Sequence, residues 1–122
     1  MFRRIDHVAI HVSDLDRSVA FYEQRFGFKK YFQHAATGGM QIAYLKLGDT
    51  VLELTHKADA PMKGFHFCLE ADNFDAAVDA LKKQGVDMAR APHDTPAREA
   101  RERGWRRVVF YGPDGEQIEL RG

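Results

Sequence analysis

The sequence predicts an α+β fold in which two tandem βαβββ modules form a half-open barrel around a central cleft. Two observations predict this class. Both halves of the chain present the same motifs in the same order, as an internal duplication does. In each half, short runs of β-branched and aromatic residues flank one amphipathic segment with helical spacing. The whole chain of 122 residues has the length of one domain.

Module one is predicted to span residues 1–56 and to contain one helix. Leu15, Val19, Tyr22 and Phe26 recur at three- or four-residue spacing and give residues 14–26 an apolar face. Ser13 or Asp14 is expected to cap the helix at its start, and Gly27 at its end. Gly38 and Gly39 predict a hairpin turn. The strands are expected near residues 5–12, 28–36, 40–47 and 50–55.

Module two is predicted over residues 64–122, after a linker at residues 57–63 that contains Pro61. A strand is expected at 64–70 and a helix at 74–84, with Asp72 or Asn73 as its N-cap and Gly85 as its C-cap. The Pro113-Asp114-Gly115 turn leads into a last strand at 116–121. The Arg-rich segment 92–105 fits either a loop or a short helix, and its role stays open.

Composition excludes several classes of partner. Lys plus Arg and Asp plus Glu both number 18, so the chain lacks the positive charge of a typical nucleic-acid-binding domain. No apolar run approaches the roughly 20 residues of a membrane helix, and the first residues do not resemble a signal peptide. Cys68 is the only cysteine, which favours a reduced, cytoplasmic setting. A small-molecule substrate is the expected partner.

Strand alternation predicts which side chains face the cleft. Side chains of successive strand residues point to opposite faces, so the apolar row of each strand should lie under a helix. In the strand at 64–70 this row is Phe65, Phe67 and Leu69. The residues between such rows then face the cleft, and four of them can ligate a metal: His7, Glu53, His66 and Glu119.

These four side chains predict a metal cleft. A carboxylate in the middle of an apolar strand is costly to bury unless a cation pairs with it. Two imidazoles and two carboxylates suit a transition metal or Zn²⁺ better than Ca²⁺. The alternative is a duplicated fold that kept these residues and binds no metal.

Nearly the whole chain resembles the glyoxalase I / vicinal-oxygen-chelate superfamily (glyoxalase/bleomycin resistance/dioxygenase). Residues 5–22, IDHVAIHVSDLDRSVAFY, resemble the opening strand and helix of this superfamily, and residues 112–120, GPDGEQIEL, resemble its closing hairpin. The resemblance implies paired βαβββ modules that commonly assemble as homodimers. It also implies that His7, Glu53, His66 and Glu119 bind one divalent metal ion, with Ni, Zn or Co expected.

The His/Glu/His/Glu set is similar to that of glyoxalase I and implies a lactoylglutathione lyase-like isomerase. Such an enzyme removes a proton from carbon next to a metal-bound carbonyl, with Glu119 as the first candidate for the base and Glu53 as the second. His11 stands where glutathione-using glyoxalases often carry an Arg. The identity of the thiol in the substrate therefore stays open. The alternatives are a methylmalonyl-CoA epimerase-like enzyme and a non-catalytic, drug-binding module of the bleomycin-resistance type.

Four further residues are candidates for contacts with the substrate. His11 and Cys68 lie on the predicted cleft faces of their strands, close in sequence to His7 and His66. Trp105 offers an apolar ring, and Arg107 belongs to an arginine cluster that is either a solvated charge run or a lid that binds a carboxylate or phosphate.

Overall fold

The computed structural model describes residue 1, residues 4–59 and residues 65–122. The chain divides into two compact units, Met1–Met62 and Lys63–Gly122. Part of the predicted linker, residues 60–63, lies outside the described residues, as does Gly64. No helix within the described part of the chain is long and apolar enough to span a membrane.

Each unit is one βαβββ module. The elements of the first are β1 Val8–Val12, α1 Leu15–Phe26, β2 Lys29–Ala35, β3 Gln41–Leu47 and β4 Thr50–His56. The elements of the second are β5 His66–Glu70, α2 Phe74–Lys83, β6 Met88–Asp94, β7 Arg106–Tyr111 and β8 Gln117–Arg121. The predicted α+β class with two βαβββ modules is confirmed. The proposed boundaries of the modules and the central metal cleft stay predictions.

The two sheets share one strand order. In the first, the order is β1-β4-β3-β2, and in the second it is β5-β8-β7-β6. The first strand of each module pairs in parallel with the last, while the remaining neighbours are antiparallel. The last strand of each module is therefore central, and its side chains have a neighbouring strand on both sides.

The helices bury most of the side chains that their periodicity indicated, although Phe26 is only half-buried. Leu15, Val19 and Tyr22 are buried on α1, and Phe74, Val78 and Leu81 occupy the same relative positions on α2. Helix α1 contacts β2, β3 and β4. Apolar residues of the central strands complete each core, among them Leu52, Leu54, Ile118 and Leu120. Such burial is the main favourable term in folding.

One apolar prediction is wrong. Phe65 was expected to pack under the second helix with Phe67 and Leu69, but it is 63% exposed. The strand begins only at His66, so Phe65 lies outside it and the alternation of strand side chains does not extend to this residue.

At the start of each helix, one of the two predicted residues forms the N-cap. Asp14 caps α1 by accepting a hydrogen bond from the backbone N–H of Arg17 at 3.0 Å. Asn73 caps α2 by accepting one from the N–H of Ala76 at 3.0 Å. Gly27 ends α1 with φ of 74°, a left-handed conformation that glycine adopts without a steric penalty. At the end of α2 the C-cap is Gln84, and Gly85 follows it.

Asp14→Ala removes the acceptor at the start of α1 and should lower the free energy of unfolding by about 1 kcal/mol. Asp14→Ser keeps a capping oxygen and should stay within a few tenths of a kcal/mol of the parent. Urea unfolding followed by circular dichroism measures both. Equal losses in the two variants would show that the cap is not what stabilises this helix.

Candidate metal centre

In the first module, His7 and Glu53 face each other. Ala9 pairs with Glu53 across β1 and β4, and His7 lies two residues before Ala9 on the same face. The Nε2 atom of His7 is 3.2 Å from Oε2 of Glu53. The Glu53 side chain is only 13% exposed and the His7 side chain is 39% exposed. The two predicted ligands of this module are therefore adjacent.

His7 lies between two carboxylates. Its Nδ1 is 3.0 Å from Oδ2 of Asp6, and this hydrogen bond lowers the pKa of Asp6. If Nδ1 donates its proton to Asp6, a neutral ring presents only a lone pair to Glu53. That lone pair and the Glu53 carboxylate repel each other unless a proton or a metal cation lies between them. An imidazole held through Nδ1 by a carboxylate is also a common arrangement of metal-binding histidines.

The distance between the two side chains fits a shared metal ion. Metal–nitrogen and metal–oxygen bonds to Zn²⁺ are about 2.0–2.2 Å long, so two ligands on one ion lie roughly 3.0–3.5 Å apart. The separation of 3.2 Å between His7 Nε2 and Glu53 Oε2 falls in this range. The chemistry and spacing of this pair therefore fit a divalent metal.

Two hydroxyl groups hold Glu53 in place. Thr55 donates a hydrogen bond from Oγ1 to Oε1 of Glu53 at 3.0 Å. Tyr44 lies opposite Glu53 on β3, and its pKa is raised by burial and by the charge of Glu53, with which it shares a hydrogen bond. The ring of Tyr44 also meets the edge of His7, with ring centroids 6.3 Å apart. This carboxylate is consequently restrained on several sides.

The second module places His66 and Glu119 in the same register. Cys68 pairs with Glu119 across β5 and β8, as Ala9 pairs with Glu53 in the first module. His66 lies two residues before Cys68, as His7 lies two before Ala9. Both modules thus position one His and one Glu by the same strand pairing.

The environment of Glu119 differs from that of Glu53. The Cys68 thiol donates to Oε1 of Glu119 at an Sγ–O distance of 3.8 Å. Burial, and next the charge of Glu119, raises the pKa of Cys68 to about 11. Cys68 therefore stays protonated near neutral pH and is a weak hydrogen-bond donor there rather than a nucleophile.

A concavity of about 320 Å³ adjoins this second pair. His66 and Glu119 both line it, together with Gln117 and two arginines, Arg90 and Arg107. Of the four predicted substrate contacts, Arg107 is the one that lies in this concavity with the candidate ligands.

The other predicted contacts lie elsewhere. His11 is half-buried on β1 and pairs with Thr55 on β4. Trp105 precedes β7, where its ring packs against the guanidinium groups of Arg101 at 5.0 Å and Arg121 at 5.9 Å. It is absent from the lining of the concavity that holds Arg107. The roles of His11, Cys68, Trp105 and Arg107 in substrate binding stay predictions.

Segment 92–105 is folded around a buried carboxylate. The chain continues β6 to Asp94 and makes a 3₁₀ turn at Ala100–Glu102 before β7. Glu102 is fully buried and accepts hydrogen bonds from the backbone and guanidinium of Arg98 and, at 3.3 Å, from Arg121. These bonds, those from Arg98 above all, lower the pKa of Glu102 to about 2. Sequence reasoning did not identify this residue, because its neighbours read as a solvated charge run.

Within the described residues, the predicted ligands come together in pairs and do not form a group of three or four. Across residues 4–59 and 65–122 there is no group of three or more His, Cys, Asp or Glu side chains placed to hold a metal ion. Each module supplies two of the four predicted ligands. The four-residue metal site stays a prediction.

Comparison with known proteins identifies a relationship over almost the whole chain. Residues 4–120 match the sequence model of the Glyoxalase/Bleomycin resistance protein/Dioxygenase superfamily. The chain is 35% identical over 96 residues to the mitochondrial methylmalonyl-CoA epimerase of Homo sapiens, with 68% of this chain and 54% of that protein covered. The chain therefore spans about half the length of this curated relative.

Two further proteins are similar over nearly their full length. The lactoylglutathione lyase of Neisseria meningitidis serogroup A is 30% identical, with 96% of this chain and 88% of that protein covered. The crystal structure of TnmS3, an antibiotic binding protein from Streptomyces sp. CB03234, superposes with a TM-score of 0.79 at 25% identity. That match covers 98% of this chain and 94% of TnmS3.

Glu102→Gln should lower the melting temperature by several degrees, because it leaves Arg98 and Arg121 without their buried counter-charge. The pKa of Glu102 is lower in the folded protein than in the unfolded chain. Its stabilisation is therefore complete above about pH 4.5 and is lost as the pH falls towards about 2. The variant should lose this part of the acid dependence, which melting curves between pH 2 and 6 will measure.

Glu99→Gln is the matched control, because Glu99 lies three residues before Glu102 and binds Arg101 from an exposed position. It should change the melting temperature little. Equal effects of the two substitutions would mean that the buried position of Glu102 is unimportant.

Proposed function

Because the chain belongs to the glyoxalase/bleomycin resistance protein/dioxygenase superfamily, we propose that it is a metal-dependent, glyoxalase I-like isomerase. Members of this superfamily are mostly metal-dependent enzymes that act on small molecules, generally with a divalent metal ion. The main support is the His–Glu pair that the same strand register repeats in both modules, with its 3.2 Å contact in the first.

In this proposal His7, Glu53, His66 and Glu119 bind one divalent metal, with Ni, Zn or Co expected. The metal, when bound, supplies a Lewis acid that stabilises negative charge on a substrate oxygen. Asp6 orients the ring of His7 through Nδ1, so that Nε2 is directed towards the proposed position of the metal. The ligand pairs come together either within one chain or across a homodimer; superfamily members often dimerise.

The contacts of the two carboxylates favour different roles for them. Glu53 is held by Thr55 and Tyr44, which suits a permanent ligand. Glu119 has the weak Cys68 thiol contact at 3.8 Å, so fewer interactions oppose its movement. A base must reach the substrate carbon to take its proton, and the less restrained carboxylate can do so more easily. Glu119 is therefore the first candidate for the base, and Glu53 is the second.

The proposed substrate is the adduct of a 2-oxoaldehyde with a thiol. His11, Cys68, Trp105 and Arg107 are its proposed contacts. Epimerisation of an acyl-CoA is the second candidate, supported by similarity to a methylmalonyl-CoA epimerase, and requires the same removal of a proton beside a carbonyl. Non-catalytic binding of a drug-like molecule is the third, supported by similarity to TnmS3.

Metal uptake is the first test. The purified chain should bind one Ni²⁺, Zn²⁺ or Co²⁺, as measured by elemental analysis and by titration of the apoprotein. His7→Ala and His66→Ala should each weaken binding at least about tenfold. His56→Ala should leave it unchanged, because His56 lies three residues after Glu53 on β4, on the opposite face, where its ring meets the backbone oxygen of Ser13. A folded chain that takes up none of these metals would contradict the enzymatic proposal and favour a binding module.

Glu119→Gln should retain measurable metal and lose at least about a hundredfold in kcat, because an amide cannot accept the proton. Glu53→Gln should instead act mainly on metal affinity. The assays use methylglyoxal with glutathione, then methylmalonyl-CoA, with each metal added back. Glu99→Gln removes one exposed carboxylate of the same module as a control. Full turnover by metal-loaded Glu119→Gln would remove Glu119 from the mechanism.

A further inference from the structure

Arg90 lies on the same face of the sheet as Glu119 because β6 contains a bulge. The pairing of β6 with β7 shifts between Met88 and Arg90, so that Arg90 lies opposite Val109. Val109 in turn lies opposite Glu119 on β8. Since paired residues share a face of the sheet, Arg90 and Glu119 lie on the same face, two strands apart. Both line the concavity of about 320 Å³.

Most arginines of this module already have an acidic partner. Arg101 binds Glu70 and Glu99, and Arg106 binds Asp75. Arg98 and Arg121 share the buried Glu102. By contrast, neither Arg90 nor Arg107 forms an ion pair with any acidic side chain in the described ranges, and these are the two arginines that line the concavity. Two guanidinium groups without an ion pair in the described ranges thus lie beside Glu119.

His93 orients one of these two arginines. Its Nδ1 donates a hydrogen bond to the backbone oxygen of Ala91 at 2.8 Å, which leaves Nε2 as an acceptor. Arg107 donates from Nε to that Nε2 at 2.7 Å. The remaining N–H groups of Arg107 are thereby kept for another acceptor, with the guanidinium already held in position. A preorganised guanidinium loses less entropy when it binds a ligand.

We propose that Arg90 and Arg107 form a subsite for a carboxylate or phosphate group of the ligand, next to Glu119. Arginine recognises either group through paired, charge-assisted hydrogen bonds. A volume of about 320 Å³ accommodates such a group with a few attached carbons. The identification of this ligand as the substrate rests on the proposed function, but the binding of the anion does not.

The test is titration of the chain with inorganic phosphate and, separately, with acetate, followed by calorimetry or NMR, with and without Ni²⁺. The anion that binds more tightly identifies the group that the subsite prefers. Arg90→Gln and Arg107→Gln should each raise its Kd roughly tenfold, the loss expected for one charge-assisted hydrogen bond. Arg90→Lys keeps the charge and should have a smaller effect. Arg103→Gln removes the same charge from an exposed position outside the concavity and should not change the Kd.

The outcomes separate this subsite from the proposed enzyme. Absence of binding by both anions, or equal losses in Arg103→Gln and Arg90→Gln, would overturn the subsite. Metal uptake is measured on the same variants and should stay unchanged in all of them. A chain that binds phosphate or acetate through these arginines but takes up no metal would retain the subsite and refute the metal enzyme. Melting curves verify that every variant is folded.

Discussion

The parallel pairing between the first and last strand of each module determines the candidate site. Because β1 pairs with β4 and β5 with β8, a histidine at or just before the start of one strand and a glutamate in the middle of the other share a face. A one-residue slip in register would turn every such side chain to the opposite face. The apolar neighbours of each glutamate, Leu52 and Leu54 or Ile118 and Leu120, are buried and oppose that slip. Hydrophobic burial thus fixes the position of the polar pairs.

The duplicated framework carries different chemistry in its two halves. Both edge strands have a register shift at the same relative position, between Lys30 and Phe32 and between Met88 and Arg90. In the first module this places exposed Phe32 beside Tyr44, with ring centroids 6.0 Å apart. In the second it places Arg90 beside Val109. Equivalent backbone positions therefore present an aromatic surface in one module and a cation in the other. Strand alternation alone does not predict this difference between the modules.

Periodicity predicted the elements whose residues repeat regularly, and it failed where a long-range partner decides the structure. Spacing indicated both amphipathic helices, and side-chain chemistry limited each N-cap to two residues, of which Asp14 and Asn73 form the cap. The segment around Glu102 gave no such signal, because one of the two arginines that bind this carboxylate, Arg121, lies 19 positions later. The position of Arg90 depends on a bulge, which shifts the alternation by one residue without a marked change in composition.

Partners also distinguish groups that the sequence presents as equivalent. Glu53 and Glu119 occupy the same register, yet Thr55 and Tyr44 restrain the first, while a thiol at 3.8 Å contacts the second. A carboxylate held by several donors favours one position, which suits a ligand more than a base. The arginines differ in the same way, since Arg98 and Arg121 bind Glu102, whereas Arg107 is oriented by Nε2 of His93. Duplication thus supplies the positions, and local hydrogen bonds give each position its own chemistry.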